Sequence, residues 1–207
     1  MRGRGRGARA SFRALGLLFS LTRYRELVAK VDAFFARVVG RHGHAMQCRA
    51  GCAACCLPGL SVTGVEADAI REELSAMPEG PRVELRARAL REDSAACPAL
   101  DEEGRCSIYA VRPLVCRSHG LPIRLPGPRG LPVIDACPKN FTASGPGAIE
   151  ADCVLDQTTL STLLLAVDRA HAEEAGRPTG ERISLAKLFL EDGCAREENA
   201  GPWLERR

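Results

Sequence analysis

The 207-residue sequence predicts a mainly α protein, a small helical domain built around an irregular, metal-organised, cysteine-rich loop core. Three observations predict it. Apolar residues recur at helical spacing on both sides of the middle of the chain. Eight of the ten cysteines fall between residues 48 and 137. The segment from Cys97 to Phe141, which includes LPIRLPGPRGLP, is rich in Pro and Gly and shows neither helical nor clean strand periodicity. Such a loop cannot bury itself and needs an organiser other than its own packing.

The elements follow in order. Residues 1–22 read as a flexible basic tail, with an Arg/Gly repeat and a short apolar run from Ala14 to Leu21. That run lacks a small-residue cleavage site and is followed by charged residues of helical pattern, so it does not read as an export signal. Residues 23–141 form a cysteine-cluster domain. Its leading amphipathic helix, Arg23 to Arg41, carries Tyr24, Leu27, Val28, Val31, Phe34, Phe35 and Val38 on one stripe. An extended piece around Leu60 to Val62 precedes a helix opening at Thr63, where Thr63 and Glu66 have capping-box spacing. Ile70 and Leu74 continue its buried face until Pro78 and Gly80. A third helix is expected from about Arg82 to Ser94. Residues 142–207 form a C-terminal helical extension packed on the same core, with helices from about Glu150 to Ala175 and from Ile183 to Glu191.

Composition narrows the functional classes. With 45% hydrophobic and 27% charged residues the chain is an ordinary globular protein, and six Phe, two Tyr and one Trp leave few large anchors for its interior. A bound ion contributes folding free energy that a thin core cannot supply. The net charge of +3 owes much to the arginines of the first thirteen residues, so it carries no strong nucleic-acid signal. No stretch approaches the roughly 18 apolar residues of a membrane span. The chain reads as cytoplasmic, where a high cysteine count means metal rather than disulfides.

The spacings carry the chemistry. Cys48-x3-Cys52-x2-Cys55-Cys56 places four thiols within nine residues. Short steps of this kind let two sulfurs converge on one ion, at about 2.3 Å from zinc. Adjacent Cys55 and Cys56 face opposite ways in an extended chain, so either the loop turns sharply or the pair reaches toward two metals. Further along come Cys97-Pro-Ala-Leu, then Gly104-Arg-Cys106-Ser-Ile108-Tyr109, Arg112-Pro113-Leu-Val-Cys116-Arg117, and Cys137-Pro138.

Together these motifs resemble the YkgJ-type cysteine-cluster family, a zinc- or iron-chelating domain, over Cys48 to Phe141. One departure is the three-residue gap between Cys48 and Cys52 where many members have two. The resemblance implies metal chelation by Cys48, Cys52, Cys55, Cys56, Cys97, Cys106, Cys116 and Cys137, with zinc, iron or an iron–sulfur cluster as cofactor. Some relatives of the domain occur in flagellin lysine methylases, so the alternative is an iron–sulfur-dependent enzyme or redox protein. The first three cysteines also share their spacing with radical S-adenosylmethionine enzymes. Ala54 replaces the aromatic usual before the third cysteine there, and the remaining chain does not supply the barrel those enzymes build. Without HExxH, a P-loop, GxGxxG or an ordered Ser-His-Asp set, the sequence offers no catalytic residues and leans away from an enzyme. The expected partner is the metal ion.

Arg49, Arg105, Arg112 and Arg117 lie within a few residues of cysteines, where cations favour thiolates, and Arg112 and Arg117 are the stronger candidates for neutralising the cluster. Tyr109 reads as a core aromatic. His119, His42 and His44 read as exposed groups, or as support for a ligand rather than ligands. Cys153, on an apolar helical stripe with Ile149, Leu160, Leu164 and Val167, and Cys194, after Gly193 at a helix end, read as packing residues. Replacing both by Ala is expected to keep the metal-to-protein ratio.

Overall fold

The computed structural model describes residues 5–91 and 94–191, with side chains from residue 15 onward; Gly193 and Cys194 lie outside them. The chain is mainly α. Helix α1 runs from Gly5 to His42. It therefore starts inside the stretch expected as a flexible tail. The reason lies in the run around Leu21, which extends the apolar stripe: Leu21 is buried together with Tyr24, Leu27, Val31 and Val38.

After the cysteine-rich turn, strand β1 (Ser61–Val62) leads into α2 (Gly64–Ala76) and α3 (Glu79–Ala89). Gly80 thus lies within the third helix rather than ending the second, because Met77 and Pro78 in extended conformation already separate the two. Helix α4 (Leu114–Ser118), strands β2 (Ile123–Pro126) and β3 (Pro132–Asp135), and strand β4 (Leu155–Asp156) follow. Helix α5 (Gln157–Ala175), strand β5 (Ile183–Ser184) and helix α6 (Leu185–Leu190) complete the described residues. Strand β5 pairs with β1, while β3, β2 and β4 form a small sheet.

The hairpin of β2 and β3 lies inside the Pro/Gly-rich stretch expected to be irregular. Its two prolines, Pro126 and Pro132, face each other at the register's end, where missing N–H groups cost least. Arg129 and Gly130 take positive φ of 57° and 75° to make the turn. The expected helix from Glu150 also shifts. Ala151–Cys153 is a single 3-10 turn, and α5 begins at Gln157, where the Asp156 carboxylate accepts from Thr159 N at 2.8 Å.

Three apolar clusters make the core. One joins Val62, Ile70, Leu85, Ile108, Leu188 and Phe189, with Cys97 and Cys106 packed against it. A second seats the α1 stripe on Val65, Ala69, Leu114 and Leu160. The third gathers Val38, Met46, Leu121, Phe141, Cys153 and Val154, with Cys48 against it.

Two carboxylates, one buried and one half-buried, link these elements. Glu66, 3% exposed, accepts from Thr63 N at 2.9 Å and Thr63 Oγ1 at 3.0 Å, and also from Leu114 N at 3.0 Å. The expected capping residue of α2 therefore also holds the start of α4, the helix that carries Cys116. Asp68 takes His171 Nε2 at 2.8 Å, Arg177 Nη2 at 2.7 Å and Arg71 Nη1 at 2.8 Å. His171 Nδ1 in turn lies 2.7 Å from Ser20 Oγ. This Ser–His–Asp order is that of a hydrolytic triad, but Ser20 and His171 are 3% and 0% exposed, so no substrate reaches the hydroxyl. The chain of bonds is a strut joining α1, α2 and α5.

Burial pushes the Asp68 carboxyl up, and its bonds from His171, Arg177 and Arg71 outweigh that, holding it well below the usual carboxylate range. A carboxyl depressed on folding adds stability above its unfolded pKa of about 3.9, and that stability is lost as pH falls toward the folded value. Asp68→Asn is therefore expected to be less stable than wild type at pH 7 and to lose less on acidification below about pH 4. Thermal melts across that range check this, and parallel pH profiles for the two proteins would refute it.

Candidate metal centre

The turn after α1 is shaped by short backbone bonds. Cys52 N donates to Arg49 O at 3.0 Å, Cys56 N donates to Ala53 O at 3.0 Å, and Gly51 takes φ 82° between them. The loop is sharply turned, one of the two arrangements that adjacent Cys55 and Cys56 allow. All eight predicted cysteines are free thiols. Cys55 is exposed and the other seven are partly buried.

The loops draw the thiols toward two ends of this turn. At one end Cys97 N donates to Cys56 O at 2.9 Å, and Leu100 pairs with Cys106 as an isolated bridge. The Cys116 thiol is pushed up to about 12, first by burial and then by Cys97, Cys106 and Cys56, with Arg112 opposing. Burial likewise raises Cys56, Cys97 and Cys106, with Cys97 and Cys106 acting on Cys56. At the other end burial raises Cys48, an Asn140 hydrogen bond lowers it, and Cys137, Cys52 and Cys55 raise it further. Cys55 links the ends, pushed up to about 11 by burial and by Cys56, with Cys52 also acting on it. Mutual repulsion of this kind is what a shared cation reverses.

The thiols act on one another in pairs, Cys48 with Cys137, Cys52 and Cys55, and Cys116 with Cys97, Cys106 and Cys56, but are not closed onto common points. Among the described residues, the potential ligand atoms standing within 4.8 Å of one another in a group of three are those of His42, Glu150 and Cys153.

Residues 47–124 match the CxxCxxCC family model, described as a putative zinc- or iron-chelating domain. The match takes in seven of the eight cysteines and stops short of Cys137. No curated protein and no solved structure matches the chain. No helix among the described residues is long and apolar enough to cross a membrane. The donor set of this segment fits that description: thiols suit zinc and iron–sulfur centres alike.

Around the sulfurs the four arginines separate. Arg112 lies 3.9 Å over the ring of Tyr109, its Nε is buried without a hydrogen-bond partner, and its charge lowers Cys56, Cys106 and Cys116. Tyr109, expected in the core, is 62% exposed and serves as the platform on which this guanidinium stacks. Arg117 faces elsewhere. Its Nη1 takes both oxygens of Asp32, at 2.9 and 2.7 Å, and its Nε and Nη2 take the carbonyls of Arg112 and Ala110. It is a clamp fastening the Cys116 helix to α1. Arg49 bonds Gln47, and Arg105 bonds Asp101 and Glu103. Arg112→Gln is expected to weaken metal binding about tenfold, by analogy with other groups that back up ligands, while the fold survives. Competition with a chromophoric chelator measures this, and wild-type affinity would refute it.

Two residues were missed in the sequence because neither is a ligand type. Asn140, 4% exposed, donates from Nδ2 to Cys48 Sγ at 3.2 Å and to Gly120 O at 2.7 Å, and accepts from Gln47 N at 2.8 Å. Since Asn140 N also donates to Cys137 O at 2.8 Å, this one residue ties the segments of Cys48 and Cys137 together. Gly120 passes so close that a Cβ there would stand 2.4 Å from Cys48 Sγ. His119 is exposed at the end of α4.

Proposed function

We propose that this chain is a metal-binding protein that chelates zinc or iron through Cys48, Cys52, Cys55, Cys56, Cys97, Cys106, Cys116 and Cys137, in two groups of four. Cys48, Cys52, Cys55 and Cys137 form one group, and Cys56, Cys97, Cys106 and Cys116 form the other. The observation that supports the reading is a set of eight free cysteines, seven of them inside the segment that matches a chelating domain. The division into fours rests on two sets of ties, Asn140 with Cys48 and Cys137 on one side, and Cys97 with Cys56 and Leu100 with Cys106 on the other. Within its family the chain is of the YkgJ type, and thiols kept free for metal suit the reducing cytoplasm.

The residues divide the work. Thiolates hold the ion, Asn140 donates to one sulfur, and Arg112 offsets the negative charge that four thiolates leave around a divalent ion. With every group filled by sulfur, the sites are closed and their binding energy is also folding energy. Anaerobic purification, elemental analysis and an absorption spectrum test the reading. A brown protein with visible absorbance identifies iron–sulfur centres, and a colourless one with stoichiometric zinc identifies structural zinc. A folded protein that takes up neither metal after anaerobic reconstitution would overturn it.

A further inference from the structure

His42, Glu150 and Cys153 lie far apart in sequence and outside the eight-thiol set, yet their ligand atoms stand within 4.8 Å of one another. The local backbone explains how. Glu150 and Cys153 bracket a single 3-10 turn closed by Cys153 N donating to Glu150 O at 2.8 Å. In such a turn residues three apart lie one above the other, so both side chains point the same way. They point at the end of α1, where His42 is the last residue. The ion pair of Arg41 Nη1 with Asp152 Oδ2 at 2.6 Å fastens the helix end to the turn.

The three ligand atoms are close enough together to take one ion. His42 Nε2 is buried and lies 2.7 Å from Glu150 Oε2, an imidazole–carboxylate pair that aims both groups at one point. Cys153 is 0% exposed, and Arg41 Nη1 approaches its sulfur at 3.6 Å. Phe141 packs its ring edge-on against His42 at 6.2 Å between centroids and restricts the imidazole.

We propose that His42, Glu150 and Cys153 form a separate zinc site with three protein ligands and an open fourth position. Imidazole, carboxylate and thiolate are all zinc donors, and one neutral and two anionic ligands balance a divalent ion. Glu150 is 60% exposed, so the fourth position faces water, the composition of a reactive rather than a closed zinc site. This reverses the sequence expectation that Cys153 only packs and that His42 is no ligand.

The test uses the full chain and zinc alone. Elemental analysis after equilibration and desalting is expected to find one zinc fewer in Glu150→Gln, His42→Gln and Cys153→Ala than in wild type, or that equivalent bound at least roughly tenfold more weakly. Glu150 is exposed, so its variant keeps the fold even where Cys153→Ala does not. Neither Glu150→Gln nor His42→Gln replaces any of the eight thiols, so a loss there is distinguishable from damage to the thiol groups. Wild-type stoichiometry and affinity in these two variants would overturn the site, whatever Cys153→Ala does.

Discussion

Cys116→Ser and Cys106→Ser are expected to release metal and to lower the melting temperature by roughly 10 °C or more. Each thiol belongs to the group seated on the first apolar cluster, and each is held by structure that has little else to stabilise it. Cys106 sits in a loop whose regular pairing is one bridge, and Cys116 sits on a helix of five residues. Losing a ligand removes binding energy that is also folding energy, on the order of 4 kcal/mol or more, and each kcal/mol moves the midpoint of a protein this size by about 2–4 °C. Cys52→Ser and Cys55→Ser are expected to act in the same direction through the other group. Metal content and thermal melts, run together, read both effects. Full metal retention in two of these four variants would sink the cluster assignment. The division into fours has its own readout: Cys116→Ser and Cys137→Ser should each lose about half of the metal bound by the eight thiols.

Gly120→Ala is expected to cost about 3 kcal/mol or more and to empty the group that contains Cys48, although Gly120 is no ligand. Its φ of 94° strains any L side chain, and the added Cβ would meet Cys48 Sγ at 2.4 Å and Asn140 Nδ2 at 3.2 Å. The sulfur has to turn away, breaking its bond from Asn140 and leaving that buried amide short of a partner. Gly59→Ala is the control. Gly59 has a φ of 80° with nothing within 4 Å of an added Cβ, so it reports the backbone strain alone. Denaturant unfolding and metal analysis on both variants separate strain from displacement. Equal stability losses with metal retained in both would show that close approach to Cys48 does not matter.

What could be read from the sequence is what local periodicity and spacing encode. The α1 stripe, the Thr63–Glu66 cap and the eight cysteines as a set are patterns of residues near one another in the chain, and helix geometry or metal-ligand geometry converts each directly into an expectation. Periodicity also misled where context overrode it. Cys153 fits an apolar helical stripe on paper, but Ala151–Cys153 forms a lone 3-10 turn and the strand β4 follows, because β4 pairs with β2 some thirty residues earlier. The β2–β3 hairpin was hidden by its prolines, whose tolerance depends on falling at an unbonded edge.

Only the tertiary structure decided which groups meet. Nothing in the local pattern separates Arg112 from Arg117, yet one rests on Tyr109 facing sulfurs and the other clamps Asp32. Glu66 reads as a cap for its own helix and proves to hold a second one at Leu114. Asn140 and Gly120 act on Cys48, and His42 meets Glu150 and Cys153, across sequence distances over which no spacing rule applies. Residue type and spacing are properties of the chain and determined that it carries eight cysteines in a chelating-domain pattern. Which charges and amides face those cysteines depends on how the helices pack, since side-chain neighbours across the core are set by burial rather than by order along the chain.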